Sequence, residues 1–259
     1  MTAHDRQPED HQPRDAAHWA HHVERLEVPD VPEGALNLNV EGRRTVGPLQ
    51  GFGKMWQKTY TVRLEGADAT PAGVVEAWKE NFPRFWPRMN RFYAPRSGIV
   101  PGGVALLGSG VWGSRWFSTG VMVLYADEES FAYMTPEGHP FSGWITFSAH
   151  GDEDGTTVAQ AQLLIRANDP IYELMMPLGL HRMEDRTWQH TLRSLAAYFG
   201  ASGEVRTRVV CVDPGRQWRN YGNVRYNAII WSMFHAITAP LRYIKRSVTR
   251  GRRGGGSFG

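Results

Sequence analysis

The stretch 141–167, FSGWITFSAHGDEDGTTVAQAQLLIRA, decides the fold. Its two halves, Phe141–Ala149 and Thr156–Ala167, are rich in the aromatic, β-branched and aliphatic residues typical of strands. Between them lies Asp152-Glu153-Asp154-Gly155, and an Asp-Gly pair between two such runs is a strong hairpin signal. The stretch therefore predicts two antiparallel strands joined by a short turn.

More strands are expected on both sides of this hairpin. Along Met55–Leu64, apolar residues alternate with polar ones, which is the pattern of a half-buried strand. Four further β-like runs are bounded by glycines or turn residues: Val104–Leu107, Arg115–Tyr125, Ser130–Thr135 and Val205–Val212. Together they predict an antiparallel meander.

Two helices are predicted. Thr70-Pro71 has the form of an N-cap followed by proline at the first helical position, and apolar residues up to Phe85 follow at helical spacing. The second helix spans Leu174–Phe199 and ends at Gly200. Its apolar stripe, with steps of three and four, consists of Leu174, Leu178, His181, Asp185, Trp188, Leu192, Leu195 and Phe199.

Composition and charge restrict the class of protein. The 259 residues are 41% hydrophobic, enough for one substantial core. Cys211 is the single cysteine, so an intramolecular disulfide or multi-cysteine metal site is excluded and a reducing compartment is expected. The acidic, proline-rich N-terminus lacks the apolar run of a signal peptide. We therefore expect a cytoplasmic protein.

The same features predict four segments. Residues 1–50 are polar and proline-rich without a sustained period, which indicates a mostly disordered or loosely draped extension. Residues 51–200 hold the predicted sheet and helices, and 201–226 hold one extra strand and a linker. Residues 227–259 predict a basic amphipathic helix and a flexible tail.

Several catalytic motifs can be set aside. Gly108–Gly113 matches G-x-G-x-x-G, but a β-like run follows it where a dinucleotide site needs a helix. No G-x-S-x-G or H-E-x-x-H pattern occurs, and Cys211 sits in an apolar run where a thiol is usually inert. The spacing of His18, His21 and His22 fits no familiar metal site. We expect no cofactor and no metal.

Two polar pairs remain as candidates. His181 and Asp185 are four residues apart on the apolar stripe, with Trp188 one turn further along, so they are either a satisfied structural pair or ligand contacts in a cavity. Glu137 and His139 share one turn. They are either an acid–base pair or a turn that simply holds a packed or surface histidine.

The tail carries the most asymmetric charge. Residues 1–214 have a net charge of −6, whereas 215–259 hold nine Lys/Arg and no acid. Apolar residues of 229–244 fall on one side of a helix, and this favours an interfacial helix on anionic lipid as much as one docked on the domain or a partner chain. The predicted membrane contacts are Ile230, Phe234, Ile237, Leu241, Arg242, Lys245 and Arg246. Nucleic acid ranks last as a partner, because no recognised binding motif accompanies the charge.

The order strand, helix, antiparallel strands and one long helix resembles the START-like, or SRPBCC, helix-grip superfamily over residues 52–200. The local resemblance lies in FAYMTPEGHPFSGW (131–144), followed by a strand, the Asp-Gly hairpin and VAQAQ (158–162), and is closest to an uncharacterised bacterial branch. The resemblance implies an α+β fold in which a curved antiparallel sheet wraps around the long C-terminal helix and leaves a hydrophobic cavity.

For function, the resemblance implies binding of a hydrophobic small molecule or lipid, for carriage or sensing. The composition and the basic tail add the expectation of a cytoplasmic protein peripheral to the inner face of the cell membrane. The expected ligand contacts are His181, Asp185, Trp188, Trp144, Tyr133 and Trp116. Two alternatives stay open. One is a cyclase- or dehydratase-like enzyme acting on a polyketide-type substrate, with His181, Asp185 or His139 moving protons. The other is an interaction module without a ligand.

Overall fold

The computed structural model describes residues 16–109 and 117–238, which form a nine-stranded sheet and several helices. The strands are β1 (Thr45–Val46), β2 (Met55–Arg63), β3 (Asn90–Tyr93), β4 (Val104–Ser109), β5 (Phe117–Ala126), β6 (Ser130–Pro136), β7 (Phe141–Gly151), β8 (Thr157–Ala167) and β9 (Arg206–Asp213). The helices are α1 (Pro71–Phe85), α2 (Pro170–Met175), α3 (His181–Tyr198) and α4 (228–238). Short 3₁₀ helices occupy Ala16–His18, Pro48–Gln50 and Trp218–Tyr226.

All strand pairs are antiparallel. The sheet runs in the order β3-β4-β5-β6-β7-β8-β2-β9, and β1 pairs with β6 beside this path. The predicted hairpin is confirmed, since β7 and β8 pair from Phe141 opposite Ala167 to Gly151 opposite Thr157. Gly155 adopts a φ of 81° in its turn, a backbone conformation that glycine tolerates without strain.

Helix α1 begins as its sequence predicts. The Thr70 side chain accepts a hydrogen bond from the Gly73 amide, and Pro71 occupies the first turn. Its buried face, Val74, Val75, Trp78, Phe82 and Phe85, packs on the sheet. Pro83 lies inside the helix, which continues to Phe85.

The long helical segment differs from the predicted continuous stripe. A single π-helical turn, Met176–Leu180, separates α2 from α3, and Gly179 has a φ of 133° within it. This turn changes the phase of the helix, so Leu174 and Leu178 are exposed, whereas Leu192 and Leu195 lie in the core. The apolar stripe therefore begins only after Gly179.

Residues 16–50 also differ from the expected loose extension. Leu26 and Val40 are fully buried with Leu106 and Met122, and this small cluster covers the β4–β5 side of the sheet. The polar composition of residues 16–50 does not predict these contacts, because a few buried aliphatic residues at irregular spacing are enough to pack an irregular segment on the sheet.

Helices α1 and α3 share one face of the curved sheet, and their apolar residues form one cluster with those of the strands. A large antiparallel sheet around a long C-terminal helical segment is the arrangement that the sequence predicts. The predicted α+β helix-grip fold is thereby confirmed.

Candidate ligand cavity

An apolar cavity of about 400 Å³ lies between the sheet and α3. Strands β3 to β8 provide most of its wall, α1 and α3 provide another side, and Ile229 and Met233 of α4 complete it. Met183 and Met233 line the cavity and are also about half exposed, so the opening lies between α3 and α4.

Aromatic rings form much of the wall. The Phe82 ring lies 4.6 Å from Phe92 and 5.4 Å from Tyr133, and the Trp86 and Trp188 rings are 5.5 Å apart. Such contacts fix rings in one arrangement, because tilted and edge-on pairs are favoured over loose packing. The cavity is therefore a shaped space between ordered side chains.

The predicted ligand contacts separate into three groups. Tyr133, Trp144 and Trp188 line the cavity. His181 and Asp185 are absent from its described lining, and Trp116 lies outside the described residues. The residues of this segment that reach the cavity are Leu180, at the end of the π turn, and Met183, Glu184, Thr187 and Trp188 of α3, so His181 and Asp185 lie beside the cavity-facing side of the helix.

A buried ionic network lies beside the cavity, and it includes Asp185. The Lys58 ammonium group on β2 is 2.7 Å from Glu184 Oε2 and 2.8 Å from Asp185 Oδ1. Tyr60 donates a hydrogen bond of 2.6 Å to the same Asp185 oxygen. The side chains of Lys58 and Glu184 are 1% and 4% exposed, while that of Asp185 is 29% exposed. The network thus runs from the cavity wall towards solvent.

Burial dominates the electrostatics of this network. It raises the pKa of Glu184 to about 7, although Lys58 opposes the shift through its charge and its hydrogen bond. Burial lowers the pKa of His181 to about 4, and the Lys58 charge adds to that effect. Near neutral pH Glu184 therefore exchanges a proton readily, while His181 is neutral.

Lys58 and Glu184 are the site residues that the sequence reasoning missed. Lys58 falls on the inward-facing positions of β2, between Trp56 and Tyr60, where alternation calls for an apolar side chain. A lysine at such a position requires a buried acid, and α3 supplies two adjacent ones. An inward-facing lysine on a strand together with two adjacent acids on a core-facing helix could therefore have predicted this ionic network.

The Glu137–His139 turn has divided roles. Glu137 is buried and binds the Arg44 guanidinium, which ties the turn to β1. His139 lines the cavity, and its Nδ1 accepts a hydrogen bond from the Phe141 amide. Burial lowers the pKa of His139 to about 4, so its ring is neutral near pH 7. The two residues do not form an acid–base pair.

Helix α4 is anchored to the domain by polar contacts. Asn227 caps it by accepting hydrogen bonds from the Ile229 and Ile230 amides, and the buried Ser232 hydroxyl accepts one from the Ser118 amide. Ile230, Phe234 and Ile237 are 45%, 59% and 71% exposed. The predicted contacts Leu241, Arg242, Lys245 and Arg246 lie outside the described residues.

A second concavity, the outer groove, has a volume of about 530 Å³. His181 lines it together with Trp56, Lys54, Arg216 and Trp218. Arg216 is paired with Glu173 at 3.0 Å, so one of its two cations is already neutralised. His181 therefore belongs to this groove and not to the central cavity.

Two further properties concern the described residues only. Within 16–109 and 117–238, no helix has the length and hydropathy needed to cross a bilayer. The same residues contain no group of three or more histidine, cysteine or acidic side chains placed to hold a metal ion.

Residues 72–197 match the family model described as "Domain of unknown function (DUF1990)". No curated protein matches the chain.

Similar solved structures include the di-domain ARO/CYC StfQ from the steffimycin biosynthetic pathway, with 13% identity, 57% of this chain and 51% of that chain covered, and a TM-score of 0.44. Ara h 8.0201 is 11% identical, the match covers 56% of this chain and 97% of that chain, and the TM-score is 0.41. A START superfamily protein from Mycobacterium smegmatis is 20% identical, the match covers 57% of this chain and 98% of that chain, and the TM-score is 0.39. The chain spans about half the length of StfQ. The helix-grip assignment rests on the strand order and helix position described above.

Proposed function

We propose that this protein binds a hydrophobic small molecule or lipid in the central cavity, for carriage or sensing. The observation that carries the proposal is the apolar space of about 400 Å³ between the sheet and α3. Cavities of about 300–1,000 Å³ lined by apolar and aromatic side chains with a few polar groups are typical of small-molecule sites. A ligand-free interaction module would need no such space, so the cavity favours binding over that alternative.

Binding is tested with the full-length protein and N-phenyl-1-naphthylamine, an uncharged probe that fluoresces when buried. Trp188→Ala should weaken probe binding, because Trp188 lines the cavity. Trp218→Ala is the matched control, since Trp218 lines only the outer groove of the two. Equal loss in both variants, or loss only in Trp218→Ala, would place the probe in the outer groove and contradict the proposal.

The natural ligand is sought by native mass spectrometry and by extraction of the protein purified from its producing cell. A compound in stoichiometric amount that is retained in wild type and depleted in Trp188→Ala supports a carrier. Its absence from repeated preparations that still bind the probe would leave sensing of a transient compound as the favoured form of the proposal.

A cyclase- or dehydratase-like activity is the second candidate, and Glu184 favours it. Its carboxyl lines the cavity, and its pKa of about 7 suits a group that gives and takes protons near neutral pH. Lys58 holds the carboxyl in place. Under this candidate, Glu184→Gln would retain a precursor that differs from the wild-type compound by one water or by a ring closure. An identical compound in both proteins supports binding alone.

The membrane-facing role remains a proposal of its own. Ile230, Phe234 and Ile237 project from α4 next to the cavity opening, and basic residues follow in the sequence. Apolar side chains beside cationic ones favour an anionic bilayer surface.

Sedimentation with vesicles tests this role. Binding should rise with the anionic lipid fraction and fall with salt, because the Debye length shrinks from about 10 Å at 0.1 M to about 3 Å at 1 M. Truncation after Thr238 removes the basic segment and leaves the cavity wall intact, so it should abolish vesicle binding while probe binding persists. Unchanged sedimentation of the truncated protein would contradict the role of the tail.

A further inference from the structure

Four buried polar atoms around the central cavity have no hydrogen-bond partner of normal geometry among the described residues. They are Trp86 Nε1, Thr119 Oγ1, Tyr133 OH and Glu184 Oε1. All four residues line the cavity. Half of the eight such atoms in the described chain therefore surround one space.

Their distribution indicates a site and not a local packing defect. Trp86 follows α1, Thr119 is on β5, Tyr133 is on β6 and Glu184 is on α3. Thr119 and Tyr133 are 0% and 2% exposed, so solvent outside the protein does not satisfy them. Buried polar groups in proteins are nearly always paired, and an unpaired one requires a specific explanation.

The chemistry of the four groups defines what would satisfy them. An indole N–H only donates a hydrogen bond, an ionised carboxylate only accepts, and hydroxyl groups do both. Glu184 Oε2 already accepts from Lys58, while Oε1 is left over, although the Trp188 indole is near enough to lower the pKa of the carboxyl slightly. Because Lys58 already balances the Glu184 charge, a charged ligand group placed among these four atoms would be left without its own counter-ion. Arg91, which also lines the cavity, is exposed on β3.

We infer that the cavity binds a molecule whose buried part is uncharged and combines an apolar body with a hydrogen-bond donor directed at Glu184 and an acceptor directed at the Trp86 indole. The inference rests on the proposed binding function and narrows its ligand class to hydroxy-carbonyl compounds. Pure hydrocarbons and simple acyl chains leave the four groups unsatisfied. Tyr133 and Thr119 adapt to either kind of ligand group, because each hydroxyl rotates.

Water trapped in the cavity is the competing explanation. If water stays bound to these groups when a ligand enters, the polar groups of the ligand meet no unpaired partner, and a polar ligand gains nothing over a hydrocarbon of the same outline. The two explanations therefore predict different affinities for a matched series of ligands.

The series consists of 2-benzylnaphthalene, phenyl 2-naphthyl ketone and (6-hydroxy-2-naphthyl) phenyl ketone, each used to displace N-phenyl-1-naphthylamine from the full-length protein. The hydroxyketone should bind about tenfold more tightly than the hydrocarbon, which corresponds to about 1.4 kcal/mol. Equal affinities, or tighter binding of the hydrocarbon, would overturn the inference and leave the proposed binding function standing. Failure of the probe itself to bind would instead remove the proposed function, and the inference with it.

Conservative variants assign the effect to individual atoms. Trp86→Phe removes the indole N–H and should weaken both ketones about threefold without changing the hydrocarbon, because two hydrogen bonds share the tenfold advantage of the hydroxyketone. Glu184→Gln should remove the advantage of the hydroxyketone over the ketone, because the charge-assisted acceptor is lost. If Trp86→Phe weakens all three ligands equally, only the ring matters and the inference is wrong.

Two further variants verify that the hydroxyls are unpartnered in the empty protein. Tyr133→Phe and Thr119→Val remove only an O–H group or exchange it for a methyl group. Because neither hydroxyl has a protein partner to lose, both variants should melt within about 1 °C of wild type while losing hydroxyketone affinity. A large fall in melting temperature with unchanged ligand affinity would count against the inference.

Discussion

Replacing Lys58 by methionine should destabilise the protein strongly, and the effect should depend on pH. Methionine keeps the apolar stem but removes the ammonium group that faces Glu184 and Asp185. Asp185 is 29% exposed and still receives the Tyr60 hydroxyl, so water and Tyr60 compensate it. Glu184 is 4% exposed and is left as a buried, unpaired carboxylate. Loss of one partner from such a pair costs about 3–5 kcal/mol.

Protonation of Glu184 limits this cost at low pH. Keeping a carboxyl neutral costs about 1.4 kcal/mol for each pH unit above its ordinary pKa of 4.5. At pH 5.5 that is about 1.4 kcal/mol, whereas at pH 8 it is about 5 kcal/mol, close to the cost of the bare charge. Wild-type Glu184, with its pKa of about 7, already bears this cost up to pH 7, where it reaches about 3.4 kcal/mol, so only the difference between the two proteins counts. The loss of stability in Lys58→Met should therefore be about 1.4 kcal/mol larger at pH 8 than at pH 5.5.

Urea unfolding followed by tryptophan fluorescence at both pH values measures these differences. The double variant Lys58→Met/Glu184→Gln should regain most of the stability at pH 8, because no buried charge remains on the cavity wall. Arg63→Met is the control: its partners Asp152 and Asp154 are exposed, so it should cost less than about 1 kcal/mol at either pH. A Lys58→Met protein as stable as wild type at pH 8, or one with the same loss at both values, would refute the reasoning.

Two other substitutions test the turn beside the cavity. His139→Asn should reduce the loss of stability on acidification. The pKa of His139 is about 4 in the folded protein and 6.5 in the unfolded chain, so the unfolded chain binds the proton first. The folded protein therefore loses up to about 3 kcal/mol of stability as pH falls from 6.5 to 4. Asparagine preserves the acceptor for the Phe141 amide, and melting curves of both proteins across this range would show no difference if His139 is not the titrating group. Gly138→Ala should lower the free energy of unfolding more than Gly155→Ala. Both glycines have φ above 80°, so the backbone strain of an alanine is similar at the two positions. An added Cβ at Gly138 would lie 2.0 Å from the Tyr226 carbonyl oxygen, whereas at Gly155 no atom lies within 4 Å. Limited proteolysis should cut the segment around Tyr226 in Gly138→Ala only, and equal stability of the two variants would contradict the close approach of Tyr226 to this glycine.

Much of the fold was available from local signals. The Asp154-Gly155 turn and the runs beside it predict β7 and β8, and Thr70-Pro71 predicts the start of α1. The phase of the second helix was lost because Gly179, an ordinary-looking glycine in an apolar run, carries a π turn that periodicity does not reveal. Residues that are buried through long-range contacts, such as Leu26, lie in no local pattern that predicts their burial.

The cavity wall follows from the sequence in part. Tyr133, Trp144 and Trp188 are expected to contact the ligand, and they line the cavity, although binding by these residues remains a prediction. The choice of Asp185 over Glu184 is one position out of phase, because residues three and four positions before Trp188 both fit a helical stripe through it. A one-residue error on a helix rotates a side chain by about 100° and exchanges a cavity-facing group for one beside it.

Strand β9 determines how the sheet ends. It pairs with β2 on one side, and among the described residues no strand covers its other side. Val209, Val210 and Val212 are 39–51% exposed on it, a composition that invites a further strand to add to the edge. Arg206 and Arg208 are exposed in the same strand, and the like charges of two approaching copies repel. These arginines therefore oppose edge-to-edge association of two copies through β9, and concentrated protein should become more prone to self-association as salt screens them.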